Sequence, residues 1–196
     1  MRQKICAVIL AGGKSSRMGK DKSLLEFSNY STMSEFQYKK LNKLFNKVYI
    51  SSKIDKFDFL KNKELLILDK TDTFSPMVAL DSIFNNISEE KVFIITVDNP
   101  LVTIEVIYKL IEISQSSNNE IVIAKDTKGN RHSLCGVFNS SIHKQVKNCL
   151  AQDIHKINYL INNCDHKEVL FDNYKQFINI NTQEDYIKAK EQLKNT

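Results

Sequence analysis

None of the four cysteines, Cys6, Cys135, Cys149 and Cys164, forms a C-x-x-C pair, which excludes a zinc ribbon and leaves no disulfide framework to read. Cys6 and Cys135 sit inside apolar runs and read as small core residues. The four histidines, His132, His143, His155 and His166, are at least eleven positions apart. Without an H-x-x-x-H pair, a histidine metal site requires tertiary convergence. The apolar run Ile5–Leu10 is far too short to span a bilayer, and Gly12-Gly13 follows it. No export signal is visible, so the expected location is the cytoplasm, away from the membrane. There is no lysine-arginine block and no aromatic RNA-binding signature, and a net charge of +5 is too mild for a dedicated nucleic-acid binder. That balance suits a protein that handles phosphorylated small molecules, although most of the scattered lysines read as solubilising surface.

What is present is ordinary for a soluble globular chain: 42% hydrophobic and 26% charged residues over 196 positions, expected to form one domain spanning 1–196. Short runs rich in Val, Ile and Leu at Ile5–Leu10, Lys47–Ile50, Leu65–Leu68, Val92–Val97 and Glu120–Ala124 read as buried strands. Leu134–Phe138 and Phe177–Ile180 read as later strands, of which one can run antiparallel. Stretches near 31–45, 77–87, 104–114 and 183–194 are long enough for helices. This alternation predicts an α/β fold with a mostly parallel sheet and helices on both faces. Two helix starts are marked. Ser75-Pro76 places a capping serine before a proline at the first helical position. Thr182-Gln-Glu-Asp185 resembles a capping box.

Glycine is scarce, and its distribution is uneven: three of the five, Gly12, Gly13 and Gly19, follow the first strand. Glycine lets the backbone approach a ligand closely, and successive N–H groups there can form an anion nest. The same segment supplies Lys14, Arg17, Lys20 and Lys22, with the hydroxyls of Ser15 and Ser16. Backbone donors plus positive charge suit a triphosphate. A Walker A loop is excluded, because Gly13 and Gly19 enclose five residues and Lys20 is followed by Asp21. A G-x-G-x-x-G fingerprint is also absent.

The segment Leu10-Ala-Gly-Gly-Lys-Ser-Ser-Arg-Met-Gly-Lys-Asp-Lys22 resembles the signature loop of the nucleotidyltransferases, and Arg17-Met18-Gly19 followed by Asp21-Lys22 is most similar to the molybdenum cofactor guanylyltransferases. The resemblance implies a Rossmann-like three-layer fold, GTP as substrate, Mg²⁺ as cofactor, and transfer of GMP onto the terminal phosphate of molybdopterin. In that light Leu10, Ala11, Gly12 and Gly13 hold the nucleotide, Arg17 neutralises the β- and γ-phosphates, and Lys22 reaches the α-phosphate. Transient contact with proteins that deliver or receive the cofactor is implied as well.

Asp98 ends a buried apolar strand and precedes Asn99-Pro100, so its carboxylate is placed at the crevice where an open α/β sheet binds ligands. Mg²⁺ favours one or two carboxylates together with substrate phosphates. Asp98 matches the metal ligand of the family it resembles. Asp69 follows Leu65–Leu68 in the same manner and matches a nucleotide-contacting aspartate; its carboxylate can accept from the N1 and N2 donors of guanine or, alternatively, from the ribose. The family's asparagine after the second strand is Ser51 here, its Gly-Pro-Leu is Ser75-Pro76-Met77, and its His-Pro is His132-Ser133. Near the end, Phe177-Ile-Asn-Ile-Asn-Thr182 matches the family's Asn-x-Asn-Thr segment. Asn179 and Asn181 are acceptor-binding candidates or cap chemistry, and Lys156, beside His155 on an expected helix, is a further acceptor-binding candidate because the family it resembles has basic residues there. Two rivals stay open. One is a related transferase with another base or acceptor, such as a cytidylyltransferase or a sugar-1-phosphate enzyme. The other is a non-catalytic nucleotide-binding module, which is expected to have lost Lys22 or Asp98.

Overall fold

The computed structural model describes residues 3–13, 21–71 and 73–194. Strands β1 (Cys6–Leu10), β2 (Val48–Ser52), β3 (Leu66–Leu68), β4 (Lys91–Thr96), β5 (Ile121–Asp126), β6 (Arg131–Asn139) and β7 (His166–Phe171) form one sheet in the order β3-β2-β1-β4-β6-β5-β7. All neighbours are parallel except β6, which runs antiparallel to both β4 and β5. The helices are α1 (Met33–Asn42), α2 (Pro76–Asn86), α3 (Ile104–Gln115), α4 (His143–Ala151), α5 (Ile157–Asn162) and α6 (Gln183–Lys194).

Strand alternation sorts the core onto the two faces. Ala7, Ile9, Phe93 and Ile95 pack with Met33 and Leu41 of α1, with Leu110 of α3 and with Ala189 of α6. Cys6, Val8, Val92 and Ile94 point the other way, onto Leu80 and Ile83 of α2, Val146 of α4 and Leu160 of α5. The expected three-layer architecture is therefore present, with Cys6 and Cys135 buried as core residues. Both marked helix starts form. Ser75 Oγ accepts from Met77 N at 3.1 Å. Thr182 Oγ1 accepts from Asp185 N at 3.1 Å while Asp185 Oδ2 accepts from Thr182 N at 2.9 Å.

Four elements differ from the expectation. Strand β7 pairs only with β5 and buries only Val169, so its sequence His-Lys-Glu-Val-Leu-Phe lacks the apolar run of an interior strand. Helices α4 and α5 are nine and six residues long, too short to announce themselves. Phe177–Ile180 is not a strand. A single 3₁₀ turn at Tyr174–Phe177 leads into an extended strap that crosses the carboxyl end of β4. Its backbone is spent there rather than on a neighbouring strand: Ile180 N donates to Asp98 O at 2.9 Å.

Asn99 fastens this strap to the turn after β4. Its buried Nδ2 donates to Phe177 O at 3.3 Å and also to Asn179 Oδ1, while its Oδ1 accepts from Thr96 Oγ1 at 2.6 Å. Helix α1 braces the same turn from below. Gln37 Nε2 donates to Asn99 O at 3.0 Å, and Lys40 Nζ donates to Pro100 O at 2.9 Å and Val102 O at 3.1 Å. Burial pulls the Lys40 ammonium down to about 7. Replacing Asn99 with alanine strands these buried groups, so Asn99→Ala is expected to cost about 1–3 kcal/mol in urea unfolding. An unchanged unfolding midpoint would show that the strap is not held in this way.

Candidate active site

Strand order reverses between β1 and β4, the place where an open α/β sheet opens a crevice at its carboxyl edge. A cleft of about 470 Å³ lies there. Its floor is the end of β1, with Leu10, Ala11, Gly12 and Gly13, and the residues after β3 and β4, Asp69 and Asp98. Lys22 and Asn181 close one side, and Phe74, Ser75 and Pro76 at the start of α2 form another. Eight candidate site residues named from the sequence, from four separate segments, thus meet in one cleft. Arg17 lies outside the described residues, as do Lys14, Ser15, Ser16, Gly19 and Lys20.

The Lys22 ammonium is gripped from several directions. It stands 3.3 Å from Asp98 Oδ2 and donates at 2.9 Å to both Ile180 O and Asn181 Oδ1. The Lys22 and Asp98 side chains are only 14% and 21% exposed, so water screens this pair weakly. The other oxygen, Asp98 Oδ1, is buried and has no hydrogen-bond partner among the described residues. Such an orphaned carboxylate oxygen is costly unless a cation or donor occupies it in the working state. No group of three or more His, Cys, Asp or Glu side chains converges among the described residues. A hard divalent ion that takes one carboxylate oxygen and completes its shell with phosphates and water fits this donor set.

Asp69 lies against the backbone of Gly12, where an added Cβ would sit 3.5 Å from Asp69 Oδ2. Ser51, at the position of the family's asparagine, lines the cleft with a short side chain. Its hydroxyl donates to Asp69 Oδ1 at 3.3 Å, and its carbonyl accepts from Ala11 N at 2.8 Å. Burial raises the Asp69 pKa, with Lys53 and the Ser51 hydroxyl opposing that rise. Lys53, which sequence gave no reason to select, lines the cleft; it donates to Thr71 O at 2.5 Å and Thr73 O at 2.8 Å, and lies 4.7 Å from the Phe74 ring centroid.

The acceptor candidates separate. Asn181 lines the cleft, whereas Asn179 turns to Asn99 and is not part of the lining. Lys156 is exposed and precedes α5 rather than lying on a helix; its neighbour His155 reaches Ser75 Oγ at 2.9 Å. His132 is likewise committed elsewhere. Its ring stacks on Phe177 at 4.3 Å, and its Nε2 lies 3.1 Å from Asp126 Oδ2. Although burial works to raise it, hydrogen bonds from Asn130 and His132 hold the Asp126 carboxyl at about 2. Two positions further on, Leu134 reaches the cleft.

Comparison with known proteins gives this geometry a context. Residues 7–167 match the family model described as a MobA-like NTP transferase domain. A protein of Campylobacter jejuni subsp. doylei named molybdenum cofactor guanylyltransferase is 42% identical over 189 residues, covering 95% of this chain and 96% of that protein. A protein of the same name from Helicobacter pylori strain G27 is 34% identical, with 97% and 94% covered. The crystal structure of molybdopterin-guanine dinucleotide biosynthesis protein A from Archaeoglobus fulgidus shares the fold with a TM-score of 0.82 at 16% identity, over 98% of this chain and 100% of that one. Among the described residues no helix is long and apolar enough to cross a membrane. The chain belongs to the MobA-like NTP transferase domain family.

Proposed function

We propose that this chain, acting as a single domain, transfers GMP from GTP to molybdopterin and releases pyrophosphate. The reading is carried by the meeting of Lys22 and Asp98 beside Gly12-Gly13 at the strand-order switch, in a chain whose relatives are named molybdenum cofactor guanylyltransferase. Nucleotidyltransferases of this kind use a divalent metal, and Mg²⁺ is the ion proposed here, held by Asp98. When bound, it supplies positive charge to the phosphate oxygens. Proteins that supply the pterin and receive the product are the proposed transient contacts.

The chain's own residues do the rest by placement and charge. The main chain from Leu10 to Gly13 lies against the nucleotide, and Gly12 and Gly13, which lack a Cβ, leave room for close approach. An oxygen of the acceptor phosphate attacks the α-phosphorus, a new P–O bond forms, and the bond to the bridging oxygen of the β-phosphate breaks. The acceptor is anionic at neutral pH, so no general base is required. Lys22, with Arg17 proposed alongside it, offsets charge on the α-phosphate and the departing pyrophosphate. Asn181, which binds Lys22 and faces the cleft, is the proposed contact to the acceptor. Asp69 accepts from the guanine base.

Lys22→Ala and Asp98→Ala are each expected to lower kcat by about 10²–10³ with GTP and Mg²⁺ saturating, the scale of a lost oxyanion donor. Turnover close to wild type in either variant contradicts the assigned roles. Pyrophosphate release is expected with GTP and molybdopterin, and not with CTP, ATP or UTP; release only with CTP, or only with a sugar phosphate acceptor, contradicts the guanylyl reading.

Asp69 must be ionised to accept two base donors. Its raised pKa means that GTP affinity is expected to fall at a higher pH, on acidification, than an ordinary carboxylate would give. Asp69→Asn is expected to flatten that acid limb and to remove about 1–3 kcal/mol of discrimination against ATP. An acid limb of kcat/KM for GTP that is identical in the variant refutes the role.

A further inference from the structure

Lys56 belongs to no motif and lies between β2 and β3, outside the cleft lining. Its side chain is nevertheless only 12% exposed. The ammonium donates to Ala11 O at 3.1 Å and to Asp21 Oδ2 at 2.5 Å. Ala11 directly precedes Gly12-Gly13, and Asp21 directly precedes Lys22. One cation therefore holds both described ends of the glycine-rich segment.

We infer that Lys56 is a positioning residue for the nucleotide: it buckles the two ends of the phosphate loop together, so that the backbone after Ala11 and the ammonium of Lys22 face the same triphosphate. The inference rests on the nucleotide-binding reading above. Its geometry runs through Asp21. Asp21 Oδ1 accepts from Ser23 N at 3.0 Å and Ser23 Oγ at 2.6 Å, which fixes the carboxylate over the 3₁₀ turn Lys22–Leu24. Asp21 O accepts from Leu24 N at 3.1 Å and starts that turn. Anchoring the other carboxylate oxygen to Lys56 thus orients the turn that carries Lys22. Although burial works to raise it, the bonds from Lys56 and Ser23 hold the Asp21 carboxyl below the usual range, so Asp21 stays ionised at neutral pH. Without the buckle the two loop ends lose their direct tie to each other, and the bound nucleotide has to restore their relative order at a cost in affinity. Lys63, in the same inter-strand segment, offers a contrast: its pair with Asp55 at 2.7 Å is half exposed and neither residue lines the cleft.

The test uses the full chain and measures GTP binding without acceptor, together with the KM for each substrate. Lys56→Met is expected to weaken GTP binding and raise its KM by about tenfold or more, with the acceptor KM within about twofold of wild type, the pattern of a misplaced binding element. Lys56→Arg should recover most of the loss, because a guanidinium can still span a carboxylate and a carbonyl. Asp21→Asn keeps an oxygen for the Ser23 cap but removes the charge, and should resemble Lys56→Met. The double variant should be no worse than the weaker-binding single one, because both remove the same link. Lys63→Met should match wild type. Unchanged GTP binding in Lys56→Met, independent losses in the double variant, or equal rises in both KM values would overturn the inference. Should Lys56→Met fail to fold, Lys56→Arg and Asp21→Asn carry the same comparison. A wild-type chain that ignores GTP refutes the proposed function instead; the same variants measured with whichever nucleoside triphosphate does bind still decide the buckle.

Discussion

The Lys22 ammonium touches the Asp98 carboxylate, the Ile180 carbonyl and the Asn181 side chain at once. These groups come from the segment after β1, the turn after β4 and the strap before α6, so this small polar knot ties the amino-terminal loop, the centre of the sheet and the last helix into one site. Its location follows from topology. Strand order reverses between β1 and β4, and a crevice at that reversal is open to any ligand that can be gripped from both sides. A partly buried cation faces a carboxylate one of whose oxygens has no hydrogen-bond partner among the described residues, a charge arrangement that suits a polyanion and a hard metal ion.

Around that knot the fold is organised as a set of braces. Asn99 spends its whole amide on the strap and on Thr96, and Gln37 and Lys40 reach up from α1 to take the carbonyls of the Asp98 turn. On the opposite wall Ser51 steadies Asp69, and Lys56 gathers Ala11 and Asp21. His132 stacks on Phe177 and so fixes where the strap begins. Rigid presentation of charge from many short segments is what phosphoryl chemistry asks of a protein, since alignment and electrostatic stabilisation supply most of its catalysis.

Much of this was legible in the sequence. The interior strands were visible because each is a short apolar run buried on both faces, and the glycine cluster marked the chemistry because glycine is so scarce elsewhere. Asp69 and Asp98 could be found because each directly follows a short apolar run, Leu65–Leu68 or Val92–Val97. Strand β7 was hidden by its half-polar edge pattern, and Phe177–Ile180 misled because an apolar alternation looks the same whether the backbone pairs with a strand or with a turn. The supporting lysines were invisible for a different reason. In a chain with many scattered lysines nothing local distinguishes Lys40, Lys53 and Lys56 from solvated ones; only the fold brings backbone carbonyls and Asp21 to them. Asn179 and Asn181 share a sequence motif but not a setting: the first pairs with Asn99 and the second with Lys22.

The most direct measurement is calorimetric titration of GTP into the wild-type chain and into Asp98→Asn, each with and without Mg²⁺. If the free oxygen of Asp98 is where metal and nucleotide join the protein, Mg²⁺ tightens GTP binding to the wild type and has little effect on the variant. Equal Mg²⁺ dependence in the two proteins would contradict the account at its centre.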